Sequence, residues 1–148
     1  MDSPIVTQCI KDLEAKIQAL PNVGKTMFIY TKDELLDKTK GIPTLSTAIN
    51  VGIMYEGMKN NQPSNSGGTS TAVVSAVMSM LVLVVSKPDT VYGAGKEGMC
   101  VHMDNIRAAI KRTKSPTNHA WVFQMEAPVE ENKDAIVWIQ RWHTACNV

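Results

Sequence analysis

The chain has 148 residues, the size of one ordinary domain, of which 44% are hydrophobic and 20% charged. This composition excludes a disordered tail. The 15 Lys and Arg nearly cancel the 14 Asp and Glu, so the basic excess typical of phosphate-contacting nucleic-acid binders is missing. The charge is unevenly spread, because only Glu56 and Lys59 are charged between Gly41 and Ser86.

The sequence gives no sign of export or membrane insertion. It begins Met-Asp-Ser-Pro, without the basic and apolar regions of a signal peptide. The longest apolar stretch, Thr71 to Val85, is shorter than a bilayer span, so we expect no membrane contact. The cysteines Cys9, Cys100 and Cys146 are odd in number and have no paired spacing, which favours reduced thiols in a cytoplasmic protein.

The first predicted element is an amphipathic helix. Ser3 suits an N-cap, Pro4 is tolerated at the first helical position, and Pro21 ends the pattern. Between them, apolar side chains recur at three- and four-residue steps: Val6, Cys9, Ile10, Leu13, Ile17 and Leu20.

Three strand candidates follow, at Thr26 to Thr31, Ser46 to Glu56 and Thr71 to Val85. The charged segment Lys32 to Lys40 fits either one helical turn or a loop. Gly57 to Ser70 is predicted to be a long polar loop, and loops of this length are often functional or disordered.

The third candidate strand has an informative pattern, since its even positions are all apolar while its odd positions change from polar to apolar. This pattern predicts a strand covered on both faces at one end and on one face at the other. A helix remains possible for its Ala-containing first half. The even positions are Ala72, Val74, Ala76, Met78, Met80, Val82 and Val84.

After a second loop, Lys87 to Glu97, the spacing of Met99, Met103, Ile106 and Ile110 predicts an amphipathic helix. Two strands, His119 to Ala127 and Ala135 to Ala145, then form a hairpin around a charged turn. Pairing about the centre of that turn would place Trp121, Phe123 and Met125 opposite Arg141, Ile139 and Val137.

The element order is therefore α-β-β-β-α-β-β. This order predicts a single α+β domain over residues 1–148, with an antiparallel or mixed sheet packed against two amphipathic helices.

We expect no catalytic, metal or cofactor site, and the chain is not expected to be an enzyme. Gly24-Lys25-Thr26 resembles the end of a phosphate-binding loop but lacks the earlier glycine and precedes a strand. The acidic pairs Asp33-Glu34 and Glu130-Glu131 lie in charged segments that favour solvated positions or a helix start. The candidate zinc ligands Cys100, His102, His143 and Cys146 lack the spacing of structural zinc sites.

One face of the last strand mixes tryptophan with polar groups. Two explanations stay open: the two helices cover this face, or it is a protein interface. The residues are Trp138, Gln140, Trp142 and Thr144.

The order of these elements and several of their sequence motifs resemble those of the tail terminator, or tail completion, proteins of tailed bacteriophages. The resemblance rests on the N-terminal amphipathic helix, the strand AINVGIMYEG before a glycine loop, the long valine-rich strand, the helix HMDNIRAAI and the closing hairpin HAWVFQMEAPVEENKDAIVWIQRWHTA. It spans nearly the whole chain through element order and loose motifs.

This resemblance implies a structural virion protein without catalytic residues. Such a protein forms a ring, expected to be a hexamer, at the head-proximal end of the tail tube. There it ends tube polymerisation and presents the surface that joins the head. The implied partners are other copies of the chain, the tail tube protein and the head–tail connector proteins, and the implied location is the virion, after assembly in the host cytoplasm.

The resemblance also implies that the two long loops reach neighbouring subunits or tube proteins. The candidate interface residues are Lys59, Asn60, Asn61, Gln62, Asn65, Ser66, Gly67, Gly68, Tyr92, Lys96, Trp138 and Trp142. A lumen lined by Lys59, Lys87 or Lys96 would meet passing DNA non-specifically. Two alternatives remain open: another tube, head-completion or baseplate subunit, and a small ligand-binding domain or enzyme.

Overall fold

The computed structural model describes residues 3–39, 49–60, 75–86, 98–131 and 136–147. The elements in chain order are α1 (Ile5–Gln18), β1 (Val23–Phe28), α2 (Lys32–Thr39), β2 (Ile49–Asn60), β3 (Ser75–Ser86), α3 (Met99–Ile110), β4 (Trp121–Glu131) and β5 (Ile136–Asn147).

The five strands form one mixed sheet in the order β1-β2-β3-β5-β4. β1 runs parallel to β2, and every other neighbouring pair is antiparallel. The predicted α+β class, the mixed sheet and the two amphipathic helices are confirmed, and the segment that fitted either a turn or a loop forms the helix α2. Its first turn contains Asp33 and Glu34, so this acidic pair marks a helix start.

The face of the sheet covered by α1 and α3, here called the front face, holds the main core. The described even positions of β3 and most of the predicted helix stripes are buried here together with alternate residues of β2, while Val6 and Leu20 at the two ends of the first stripe are partly buried. Val51 is fully buried, as its place in the strand pattern predicts, while Val74 lies outside the described residues. The front face is therefore the product of matching helix and strand periodicities.

The opposite face, here called the back face, is covered at one end by α2. Leu35 of α2 packs there with Met27, Ile29 and Leu83. Leu83 is the buried odd position near the end of β3, so the prediction that both faces of this strand are covered at one end is confirmed. An ion pair of 2.6 Å between Lys32 and Glu130 links α2 to β4 at the other edge of the sheet.

The predicted register of the closing hairpin is wrong. Trp121 lies opposite Thr144, Phe123 opposite Trp142, and Met125 opposite Arg141. β4 continues through the segment predicted as a turn to Glu131, and bulges interrupt its pairing between Phe123 and Met125 and between Pro128 and Glu130. Because Glu131 pairs with Ile136, the strands meet further along the chain than predicted, which shifts the partners by five residues, and the two bulges reduce that shift to three at Phe123 and Trp121.

Other boundaries also differ from the sequence predictions. Gly24-Lys25-Thr26 lies within β1 rather than in a turn, and β2 continues to Asn60, so the first residues of the predicted Gly57 to Ser70 loop belong to a strand. Gly57 has a φ of +109° beside a register shift in the β2–β3 ladder, which is a conformation that favours glycine. None of the helices in the described ranges is long and apolar enough to cross a bilayer.

Gly52 is the point where β2 passes under α2. A Cβ at this position would lie 2.4 Å from Ile29 Cδ1 and 3.1 Å from Leu35 Cδ2. Because both neighbours belong to the back-face core, the strand approaches α2 this closely only without a side chain.

We expect Gly52→Ala to lower the free energy of unfolding by about 1–3 kcal/mol, because the added methyl overpacks the contact with Ile29. Urea denaturation of the two proteins measures the loss. Ile29→Val removes the crowding Cδ1, so the double variant should recover part of the stability lost in Gly52→Ala. Equal stability of Gly52→Ala and the parent chain would contradict the close packing described here.

Candidate functional site: two uncovered grooves

The helices leave two grooves on the sheet. The first, here called the back-face groove, is the half of the back face that α2 does not cover, with a volume of about 660 Å³. Its lining residues are Glu56, Gly57, Met58, Lys59, Asn60, Val77, Ser79, Gln124, Arg141 and His143.

The floor of the back-face groove is an ion pair between β2 and β5, which lie on either side of β3. Arg141 donates to Glu56 through Nε at 2.8 Å and through Nη2 at 3.1 Å, a two-point contact that fixes both side chains. The hydroxyl of Ser79 donates to the same carboxylate at 2.8 Å. The hydrogen bond from Arg141 holds the pKa of Glu56 below its usual value.

His143 lies in the same groove and is held neutral. Burial lowers its pKa most, and the charge of Arg141 lowers it further. With Glu56 occupied by Arg141, the described part of the groove offers a cation on Lys59 but no unpaired carboxylate. This arrangement of paired charges and polar groups suits a surface contact.

The second groove, here called the α3–β4 groove, lies between α3 and the outer strand β4 and has a volume of about 480 Å³. Phe123 is 41% exposed there and packs edge-to-face on Trp142 with ring centroids 5.4 Å apart. The groove is lined by Asp104, Arg107, Ala108, Lys111, Phe123 and Trp142.

A chain of polar contacts beneath the α3–β4 groove joins α3 to the sheet. Gln140 donates through Nε2 to Met103 O and to Glu126 Oε1, both at 2.9 Å. Gln140 Oε1 in turn accepts a 3.0 Å hydrogen bond from the indole of Trp142, and Arg107 pairs with Glu126. The amide nitrogen and the amide oxygen of the buried Gln140 side chain are thus both hydrogen-bonded. A movement of α3 would break the hydrogen bond to Met103 O and leave a buried polar group unpaired.

A second polar network fixes the segment between α3 and β4. The buried hydroxyl of Ser115 lies 2.8 Å from that of Thr144 and 2.7 Å from that of Thr117. Asp12 of α1 accepts a 2.9 Å hydrogen bond from the indole of Trp121. These contacts join the segment before β4 to β5 and the start of β4 to α1, and they thereby fix the position of Phe123.

The predicted interface residues fall into three groups. Lys59 and Asn60 are exposed at the end of β2. Trp142 is fully buried within the subunit, where it lines the floor of the α3–β4 groove, and Trp138 is half-buried against the same core. The remaining candidates lie outside the described residues: Asn61, Gln62, Asn65, Ser66, Gly67, Gly68, Tyr92 and Lys96.

Of the two explanations for the tryptophan-containing face of β5, the structure supports helix coverage, since Gln140, Trp142 and Thr144 are all buried. The exposed aromatic groups are instead Phe123 and Tyr30, neither of which the sequence singled out. Phe123 was placed on the sheet with the wrong partner, and only the correct register shows that it lies at the rim beside Trp142.

The described residues contain no group of three or more His, Cys, Asp or Glu side chains able to hold a metal ion. Cys9 and Cys146 are buried, whereas Cys100 is exposed on α3. Burial is the main cause that raises the pKa of Cys9 to about 11, and the nearby Cys146 adds to it. Cys9 is therefore a protonated, unreactive thiol at neutral pH.

No known protein family and no curated protein matches this sequence. The fold, however, is similar to a chain of a solved structure described as "Virion of native gene transfer agent (GTA) particle". The two share 10% sequence identity with a TM-score of 0.61, and the match covers 99% of this chain and 100% of that chain. The likeness shows a common fold over the whole length.

We expect Cys100 alone to react in the folded protein. A chromogenic disulfide reagent at pH 8 should titrate one thiol per chain in buffer and all three in denaturant. Cys100→Ser should abolish the fast reaction and leave the slow one. Rapid labelling of Cys9 in the native protein would contradict its burial.

The Glu56–Arg141 pair should make stability pH-dependent in acid. Because the folded-state pKa of Glu56 lies below the ordinary glutamate value of 4.5, its contribution is full above pH 4.5 and is lost as the pH falls through the folded-state value. Both side chains are partly solvated, so we expect about 0.5–1 kcal/mol. Thermal unfolding from pH 7 to pH 3 measures the loss.

Glu56→Gln should reduce the fall in thermal stability between pH 7 and pH 3, and the glutamine still offers Ser79 a hydrogen-bonding partner. The matched control is Glu14→Gln on α1, because burial raises the pKa of Glu14 and its removal should not flatten the loss in acid. The same acid loss in Glu56→Gln and in the parent chain would show that the ion pair adds nothing to stability.

Proposed function

We propose that this protein is a structural virion subunit that forms a ring at the head-proximal end of a phage-like tail tube, where it ends tube polymerisation and joins the tail to the head. The observation that carries the proposal is the full-length likeness of its fold to a chain of a gene transfer agent virion. The sequence resemblance to tail terminator proteins supplies the finer role.

The surfaces of the subunit support an assembly role. The two outer strands, β1 and β4, have no described partner on their outer sides. Large apolar side chains are exposed on or beside them, including Tyr30, Phe123 and Val129. Unpaired edges and exposed aromatic groups are costly in a lone soluble subunit and useful in one that meets neighbours.

The back-face groove supports the same proposal. The charges of Glu56 and Arg141 neutralise each other in this groove. The groove surface is therefore a mixture of polar and apolar groups beside the exposed Lys59 and Asn60. Such a surface is typical of the rim of a protein interface. In the ring, these residues would face tube or connector proteins, and Lys59 would lie where passing DNA meets the lumen without sequence preference.

Electron microscopy of the purified protein tests the proposal directly. We expect closed rings of one size, with light scattering giving a single multiple of the 16.2 kDa subunit mass. Added to polymerising tail tube protein, these rings should cap one tube end and shorten the tubes.

Two outcomes would contradict the proposal. Open stacks that grow with concentration would indicate a tube subunit, because a tube contact repeats without closing. A monomer that leaves tube length unchanged would remove the ring-forming role altogether.

A further inference from the structure

We propose that copies of this chain contact each other head to tail, with Tyr30 of one copy inserted into the α3–β4 groove of the next. This inference rests on the proposed function and deepens it, because it names the subunit contact from which the ring is built.

Tyr30 is a protruding aromatic group held in place from behind. It is 73% exposed, and its ring packs edge-on against Phe28 with centroids 5.0 Å apart. Its backbone N–H donates to Glu34 Oε2 at 2.7 Å, while the N–H of Glu34 donates to the hydroxyl of Thr31 at 3.1 Å. This reciprocal capping of α2 orients the residue before contact, which lowers the entropy that binding costs.

The α3–β4 groove has the shape and chemistry to receive an aromatic side chain. Phe123 and the small exposed Ala108 form its apolar centre, and Asp104, Arg107 and Lys111 form its charged rim. An aromatic anchor in an apolar pocket with a polar rim is the usual arrangement at the centre of a protein interface.

The occupant is a second copy of this chain because the two surfaces lie at opposite edges of one sheet. Tyr30 follows β1, the outer strand on one side, and Phe123 belongs to β4, the outer strand on the other. A contact between different surfaces of identical chains is heterologous. Repeated, it closes into a ring or extends as a filament.

The pairing register places the two surfaces at the same level along the strands. One cross-sheet row runs through Phe28, Ile53, Val82, Gln140 and Glu126. The next row, two residues further, runs through Tyr55, Met80, Trp142 and Phe123. Tyr30 follows Phe28 by two residues and therefore leaves the sheet beside this second row. A contact between equal levels needs no shift along the strands, which favours a closed ring over a helical stack.

Charges beside the two surfaces are complementary. Asp33 is exposed in the first turn of α2, three residues from Tyr30, and Lys111 is exposed at the end of α3 on the rim of the groove. Opposite charges at the edge of an interface set orientation and the rate of association more than its strength. We therefore assign Asp33 to face Lys111 of the neighbouring copy.

Single substitutions on either surface test the contact. Tyr30→Asp removes the protruding ring, and Ala108→Tyr fills the groove at an exposed helix position. Phe123→Ser removes the apolar centre of the groove. Each variant alone should lose the rings and run at the subunit mass in light scattering, while its circular dichroism spectrum stays that of the parent chain. Lys11→Asp places a carboxylate on the exposed side of α1 and serves as the control that keeps the rings.

Mixing distinguishes a heterologous contact from a symmetric one. Tyr30→Asp retains an intact groove, and Ala108→Tyr retains an intact Tyr30. An equimolar mixture should therefore form a complex of two chains and grow no further. A symmetric contact that needs both surfaces on each chain would leave the mixture monomeric, and that result would overturn the inference.

Charge exchange tests the assigned pair. Asp33→Lys should slow ring assembly by roughly tenfold or more at low salt, because it places two like charges at the rim. Adding Lys111→Asp to the same chain should restore the rate. Failure of the double variant to recover would remove Asp33 and Lys111 from the contact.

The outcomes separate this inference from the proposed function. Rings that persist in Tyr30→Asp and in Ala108→Tyr would overturn the inference and leave the ring-forming role intact. A parent chain that forms no assembly, alone or with tail tube protein, would overturn both.

Discussion

The coverage of a two-faced sheet by three helices is the constraint on which the rest of this structure depends. α1 and α3 bury the centre of the front face around Leu13, Met103 and Trp142 and leave Phe123 at its edge exposed, whereas α2 packs on only one end of the back face. The sheet therefore keeps an uncovered half-face and two outer strands. Among the described residues, these regions have no helix packed on them, and each is a surface that another chain can occupy.

The buried polar groups set where α3 lies. Gln140 would be costly to bury unpaired, so its contacts with Met103 O, Glu126 and Trp142 fix the separation between α3 and the closing hairpin. That separation determines the width of the α3–β4 groove and leaves Phe123 at its centre. The buried hydrogen bonds of Gln140 thus determine the shape of the α3–β4 groove on the surface of the subunit.

The position of β2 and β3 in the sheet explains both why the middle of the chain has so few charges and where its two charges lie. β2 and β3 are central strands flanked by sheet on both sides, and their alternate residues fill the front-face core. Glu56 and Lys59, the two charges that do occur there, both lie on the back-face groove. Charge is therefore excluded from the strands where helices cover them and admitted where the sheet is open.

The sequence by itself determined the elements whose periodicity is local. The stripes of α1 and α3 and the apolar even positions of β3 identified the front-face core, because burial on one face requires a repeat that is visible in the sequence. The α+β class followed from the order of those elements. Composition and cysteine spacing likewise argued against a disulfide framework, and the described cysteines are free.

Only the tertiary structure decided the surfaces. β4 continues until Glu131 pairs with Ile136, and this longer strand together with its two bulges moves the partner of Phe123 from Ile139 to Trp142, because neither change is visible in the local sequence pattern. The burial of Trp142 and the exposure of Tyr30 likewise depend on how few helices cover the sheet and on which edge each residue reaches. The exposure of a residue depends on how all the elements pack together. The local pattern of polar and apolar residues in the sequence does not determine it.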